Sequence, residues 1–222
     1  MDFKLVLEFL IDLKFNNNKT WFKENQERYQ QAKSEFEEFI GILLPRLKQL
    51  DESIDVTSPK ECIFRIFRDV RFSSNKEPYK TNFGALIARG GRKRSYAGYY
   101  IHVEPDESFI GGGVYMPEPK VLKAIRTEIY ENITEFKKII NNDEFRKFFA
   151  EIYGDKLTLA PKGFPKDFKD IDLLKYKHYA VAYGVKNSFW TEGKELIDDL
   201  MNIFIAQYPY NLFLNRAIEK AG

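Results

Sequence analysis

The sequence predicts an α+β fold: a single domain over residues 1–222, with a central, mostly antiparallel sheet packed by N- and C-terminal helices. Three observations predict it. Apolar residues recur at helical spacing up to Pro45 and again after Pro117. Between them, from Cys62 to about Tyr115, the spacing shortens to two, and a further strand-like stretch stands near 178–185. No internal repeat, low-complexity tract or flexible linker divides the chain.

The elements follow in order. Phe3, Val6, Leu7, Leu10 and Leu13 share one face of a helix over 3–14. The run NNNKT breaks it and offers an N-cap at Asn18 or Thr20. A longer helix follows, with Phe22, Tyr29, Phe36 and Leu43 at seven-residue spacing, and Trp21, at the start of that stripe, is expected to pack against the sheet. Pro45 is expected to end or kink that helix. Strands are expected near 62–72, 81–89, 96–104 and 108–115, with a turn at SSNKEP and a hairpin turning at Glu104 to Ser108. Their short connections favour antiparallel pairing over crossovers. Leu122, Ile125, Ile129, Ile133, Phe136 and Ile140 then mark a helix led by Pro119. A short helix over Asp143 to Tyr153, a Pro/Gly-rich loop, the strand HYAVAYGV and a helix over 194–206 complete the chain, with Pro209 as the expected break.

Of the 222 residues, 44% are hydrophobic and 35 are aromatic, enough for a real core, so a disordered chain is excluded. Cys62 is the only cysteine, which excludes an intrachain disulfide and reads as a small core residue. Charges at Asp2, Lys4, Glu8 and Asp12 interrupt the first apolar stretch, so no signal peptide is expected. No transmembrane helix is expected either, and the cytoplasm is the expected location.

Net charge is +2, but it is unevenly spread. From Arg65 to Arg94 nine Lys or Arg face only Asp69 and Glu77, a local +7 against −5 for the remainder. A basic centre in an acidic frame points to a local anion site.

Several stretches occur in an order that carries a resemblance: WFKENQERY, FRIFRDVRFSSNKEPYKTNFGA, AGYYIHVEP with FIGGGVYMPEP, and GFPKDFKDIDLLKYKHY. They resemble a bacterial and fungal family called domain of unknown function 2461, from about Trp21 to the C-terminus. The resemblance implies a single-domain α+β protein and brings no activity with it.

The densest chemistry is FRIFRDVR. Arginine is rarely buried without a partner, and its planar fork suits phosphate or carboxylate. Arg65, Arg68 and Arg71, with Lys76, Tyr79 and Lys80 on the following turn, are therefore the candidate ligand-binding residues. Strand parity places Arg65, Asp69 and Arg71 on one face, where Asp69 would orient the guanidinium groups or act as general base. Alternatively, Asp69, Glu77 and distant acids pair these cations into an internal network.

The remaining motifs are weaker. Gly111 to Gly113 lack any Walker or dinucleotide pattern, so strand packing accounts for them better than phosphate binding does. His102 and Glu104 share a strand face, but two ligands are too few for a metal site, and no metal or cofactor is expected. No serine sits in a nucleophile elbow. Trp21, Tyr96, Tyr99, Tyr100 and Tyr115 could stack bases, but the RNP signature is absent and nucleic acid is disfavoured as a partner. Two functions remain. One is a cytoplasmic domain, an enzyme or binding module, whose Arg-rich cleft takes a small phosphate- or carboxylate-bearing ligand. The other is a non-catalytic protein-interaction domain with structural arginines.

Overall fold

Four strands pair in the order β1-β2-β3-β4, every neighbour antiparallel: β1 (Phe83–Ile87), β2 (Gly98–Val103), β3 (Phe109–Val114) and β4 (Tyr179–Gly184). The computed structural model describes residues 1–93, 95–193 and 195–221. Alternation along the strands sorts the sheet into two unlike faces. Phe83, Ala85, Ile87, Tyr99, Ile101, Val103, Ile110, Val114, Tyr179 and Val181 are all buried on one face. The other presents Gly84, Leu86, Tyr100, His102, Phe109, Gly111 and Ala182, of which the larger side chains are half-buried.

Ten helices occur among the described residues, and three of them supply the buried face with its cover. α1 (Phe3–Phe15) and α3 (Gln26–Leu50) bring Phe9 and Phe36 to 6.5 and 5.5 Å from the Phe83 ring. Between them α2 (Lys19–Glu24) is capped by Asn18, whose side chain accepts from the Trp21 N–H. A four-residue α4 (Pro59–Cys62), opened by a Ser58–Glu61 capping box, leads toward the sheet. After β3 come α5 (Pro119–Glu131), α6 (Ile133–Ile140) and α7 (Asp143–Phe148). The short α8 (Ile171–Leu174) precedes β4, and α9 (Asn187–Thr191) follows it. The last helix, α10 (Leu196–Ala221), crosses the buried face and sets Phe204 edge-on to Tyr99 at 5.2 Å.

α10 is also fastened by polar groups. Gln207 and Asn211 both donate to the Gly98 carbonyl, at 3.0 and 3.2 Å, and Asn215 exchanges two bonds with Ala97. Their four-residue spacing lines them along one helix face, which pins the helix to the start of β2. Gly112 explains why the glycines opposite are needed. At φ +148° a Cβ there would lie 1.9 Å from the Gly98 oxygen and 2.5 Å from Gln207 Nε2. Close approach of strand and helix is thus the role of Gly112, while at Gly111 and Gly113 a Cβ would meet the backbone of β4.

Several expectations need correction. Residues 62–72 do not form a strand: α4 ends at Cys62, and beyond it only isolated bridges join Ile63 to Ala85 and Phe67 to Tyr79. The apolar alternation stops short as well, since Phe72 is 96% exposed. The break in the second helix comes at Asn25, and Trp21 lies on α2, half-buried against Phe9 of α1, away from the Tyr29–Phe36 stripe. Phe22 is the residue that seals this corner, stacked on Tyr79 at 3.9 Å. Helix formation also pauses at Asn132, which divides the stripe from Leu122 to Ile140 between α5 and α6, and α7 stops at Phe148. Neither Pro45 nor Pro209 ends its helix. Both prolines are exposed, where water satisfies the carbonyls they leave unpaired.

Candidate functional site

Residues 63–82 double back on themselves beside β1. Three backbone bonds hold this arm: Phe64 N–H to Gly84 O at 2.9 Å, Lys80 N–H to Ile66 O at 2.8 Å, and Arg68 N–H to Pro78 O at 2.9 Å. Asn17, between α1 and α2, clamps it from below by bonding both the N–H and the carbonyl of Tyr79. Tyr79, expected to offer its hydroxyl to a ligand, instead turns its ring into the core against Phe22.

The cations fall into two sets. Arg71 grips Asp69 with two bonds, Nε to Oδ1 at 2.9 Å and Nη2 to Oδ2 at 2.6 Å. That pairing holds the Asp69 carboxyl below its ordinary range, with Arg65 nearby as a smaller cause, so Asp69 is an orienter and a poor proton acceptor. Arg68 donates to the Glu77 carbonyl and lies 3.7 Å from its carboxylate, while Lys76 Nζ donates to the Val70 carbonyl. Arg65 and Lys80 form the second set, and among the described residues neither has an ion-pair partner. Burial, and then the Arg65 charge, push the Lys80 pKa down. Its ammonium lies 5.4 Å from the centroid of Phe64, whose ring meets Tyr100 edge-on at 6.2 Å.

That contact leads to three residues on the half-open sheet face. Tyr100, His102 and Glu104 alternate along and just past β2, so one face carries all three. His102 Nε2 lies 2.8 Å from Glu104 Oε2, and its Nδ1 lies 3.1 Å from the Tyr100 hydroxyl. An ionised carboxylate can only accept. Nε2 therefore carries the proton, and the Tyr100 hydroxyl donates to Nδ1. Thr81 donates to the other oxygen of Glu104, and Asn82 Nδ2 stands 3.4 Å from His102 Nδ1. Phe109 stacks on the imidazole at 4.6 Å. Burial opposes ionisation of Glu104, but bonds from His102 and Thr81 outweigh it and keep the carboxyl below its ordinary value. Burial and the nearby Glu104 charge push the Tyr100 phenol up to about 12.

Residue parity pairs His102 with Glu104 and leaves Tyr100 among the aromatics. The missing signal was register: pairing Gly84 with His102 brings Thr81 and Asn82 beside the imidazole and the carboxylate. His178 is separate, stacked on Tyr115 and accepting from the Met116 N–H. Cys62 is buried in the core, which pushes its thiol up to about 11. No three His, Cys, Asp or Glu side chains gather for a metal among the described residues. A hollow of about 970 Å³ runs along α10 beside α6 and α7, and another of about 560 Å³ lies at the β4 edge. Arg216–Glu135 and Arg89–Glu219 pair across the wall of the larger one, which also carries Lys138 and Lys147. Neither hollow includes Arg65 or Lys80 in its lining.

A four-stranded antiparallel sheet with helices on one face and a polar array on the other defines an α+β domain. The chain belongs to the family described as conserved hypothetical protein (DUF2461), whose model matches residues 5–213. No curated protein and no solved structure matches it. No helix among the described residues is long and apolar enough to cross a membrane.

Proposed function

We propose that this is a cytoplasmic domain that binds a small phosphate- or carboxylate-bearing ligand between the arm and β2, with Arg65 and Lys80 as the gripping cations. The observation that carries this reading is the adjacency of two positive charges without ion-pair partners among the described residues, Arg65 exposed and Lys80 half-buried. Like charges held together without a counter-ion oppose one another, and an anion relieves that opposition. Arg65 supplies the planar donor fork and Lys80 a point charge. Phe64 gives the ligand an apolar floor, and Arg71 and Arg68, already engaged, shape the arm.

The second reading, a protein-interaction domain, is favoured by the Asp69–Arg71 and Arg68–Glu77 pairs together with Phe72 at the arm's tip, 96% exposed. Titration with inorganic phosphate and with succinate, followed by calorimetry or amide shifts, separates the two. Arg65→Ala and Lys80→Ala are each expected to weaken binding about tenfold or more, as loss of a charged hydrogen bond does. Arg68→Ala and Arg71→Ala should change it less than about twofold. If neither anion binds the unmodified protein, the interaction-domain reading replaces the first.

A further inference from the structure

We propose that Glu104, His102 and Tyr100 form a catalytic base relay, with the Tyr100 hydroxyl as the group that meets the ligand. Only the substrate class rests on the anion-binding reading above: a small phosphate- or carboxylate-bearing compound with a removable proton, lying across Phe64. The relay itself stands on geometry. A reactive hydroxyl, an imidazole within hydrogen-bond reach of it, and a carboxylate orienting the imidazole is the arrangement that activates a hydroxyl. Here the three members are joined at 3.1 and 2.8 Å. Each is also held from outside: Tyr100 by Phe64 and Gly84, His102 by Phe109 and Asn82, Glu104 by Thr81.

The step balances without any other reactant. A proton leaves the ligand for Tyr100 Oη as the phenol's own proton passes to His102 Nδ1. The ligand gains one negative charge, and His102 becomes an imidazolium beside the Glu104 carboxylate. Lys80 lies one aromatic side chain away from Tyr100, with the Arg65 charge acting on it, on the side where the new anion would be stabilised. Returning the proton to a different ligand atom completes an isomerisation, and losing a leaving group completes an elimination. The raised phenol pKa fits this use: Tyr100 stays protonated near neutrality and loses its proton only through His102. The other charges facing the relay are Lys14 of α1, which acts on Glu104, and Glu107, which pairs with Lys14.

The test uses a benzenesulfonyl fluoride probe, with the modified tyrosines read by peptide mass spectrometry. In the unmodified protein Tyr100 is expected to react at least about tenfold faster than Tyr153, which is 56% exposed, at neutral pH. An ordinary tyrosine reacts through its phenolate, so the free amide N-acetyltyrosinamide, run alongside, should climb about tenfold per pH unit between about pH 7 and 9. A relay tyrosine reacts as the neutral phenol, handing its proton to the imidazole, so Tyr100 should stay flat over that range. His102→Gln should abolish the excess rate and Glu104→Gln should reduce it, with melting curves as the control for folding. Tyr100 reacting no faster than Tyr153, or climbing with pH as the free tyrosine amide does, overturns the relay without recourse to any variant. Inorganic phosphate slowing the Tyr100 reaction supports the stated substrate class. A fast, flat Tyr100 reaction indifferent to phosphate upholds the relay and overturns that substrate class. Phosphate binding with an unreactive Tyr100 overturns the relay and leaves the anion site standing.

Discussion

The Tyr100 hydroxyl stands directly over Gly84: a Cβ added there would lie 2.7 Å from the phenol oxygen. Gly84 is paired with His102 in the register of β1 and β2, so the bare backbone of one strand makes room for the relay of the next. Gly84→Ala should move the phenol off His102, because the atom the new Cβ meets first is the phenol oxygen at the free end of its side chain. The expected result is a loss of about 1–2 kcal/mol of stability with a displaced His102 imidazole signal by NMR. An unaltered signal would mean that the phenol has freedom the packing denies it.

At the corner beneath the arm, Phe22 and Trp21 are expected to differ in weight. Phe22 is 3% exposed and stacks on Tyr79, so Phe22→Ala should cost about 3–5 kcal/mol in denaturant unfolding. Trp21 leans half-buried on Phe9 and should cost about 1–2 kcal/mol when cut to Ala. Equal losses would place the indole deeper than its packing indicates.

Asp69 offers a sharper contrast with the sequence reading. Asp69→Asn removes the partner of Arg71 on an exposed surface, so the melting temperature should move by no more than about a degree. Phosphate affinity should hold or rise, since a negative charge near Arg65 is gone. A large fall in affinity would return Asp69 to the site as a ligand-orienting group.

Glu128 gives the fold an acid limit. It is 2% exposed and bonded to Arg216 at 2.7 Å, to Lys220 at 2.6 Å and to Asn132 at 3.0 Å. Burial opposes its ionisation, but the bonds from Lys220 and Arg216 outweigh it and depress the folded-state pKa. A depressed carboxyl pKa contributes stability that is fully present above the unfolded value, about 4.3, and is lost as pH falls through the folded value. Glu128→Gln should therefore cost about 2 kcal/mol at neutral pH and flatten the acid limb of the stability profile. The cost stays below that of a fully buried pair because Arg216 and Lys220 keep contact with water. An acid limb as steep as in the unmodified protein would assign the acid sensitivity to another group.

The helices and the β2–β3 hairpin were legible because one buried face each imposes a clear period. Residues 62–72 misled for the same reason: Cys62, Ile63 and Ile66 are buried and mimic a strand, yet backbone pairing fails around them, and Val70 and Phe72 follow no common face. Pro209 misled because a proline's cost depends on where the lost bond points, and on α10 it points to water. The Arg cluster was visible in composition, but which arginines are engaged depended on the arm's fold, where Arg71 turns back on Asp69 two residues earlier. Tyr100 escaped because parity gives a face without saying whether helices cover it.

The arm also guards the sheet. β1 is an outer strand, and a free outer strand is a template for joining another chain. Its outward backbone groups are met by residues of the same arm that carries Arg65 and Lys80, with Phe64 bonded to Gly84 and Ile63 bridged to Ala85. Lifting the arm would disperse the two cations and uncover the strand in one movement. An anion that holds the arm down would then resist self-association by mass action, so occupancy of the site and the solubility of the chain would rise and fall together.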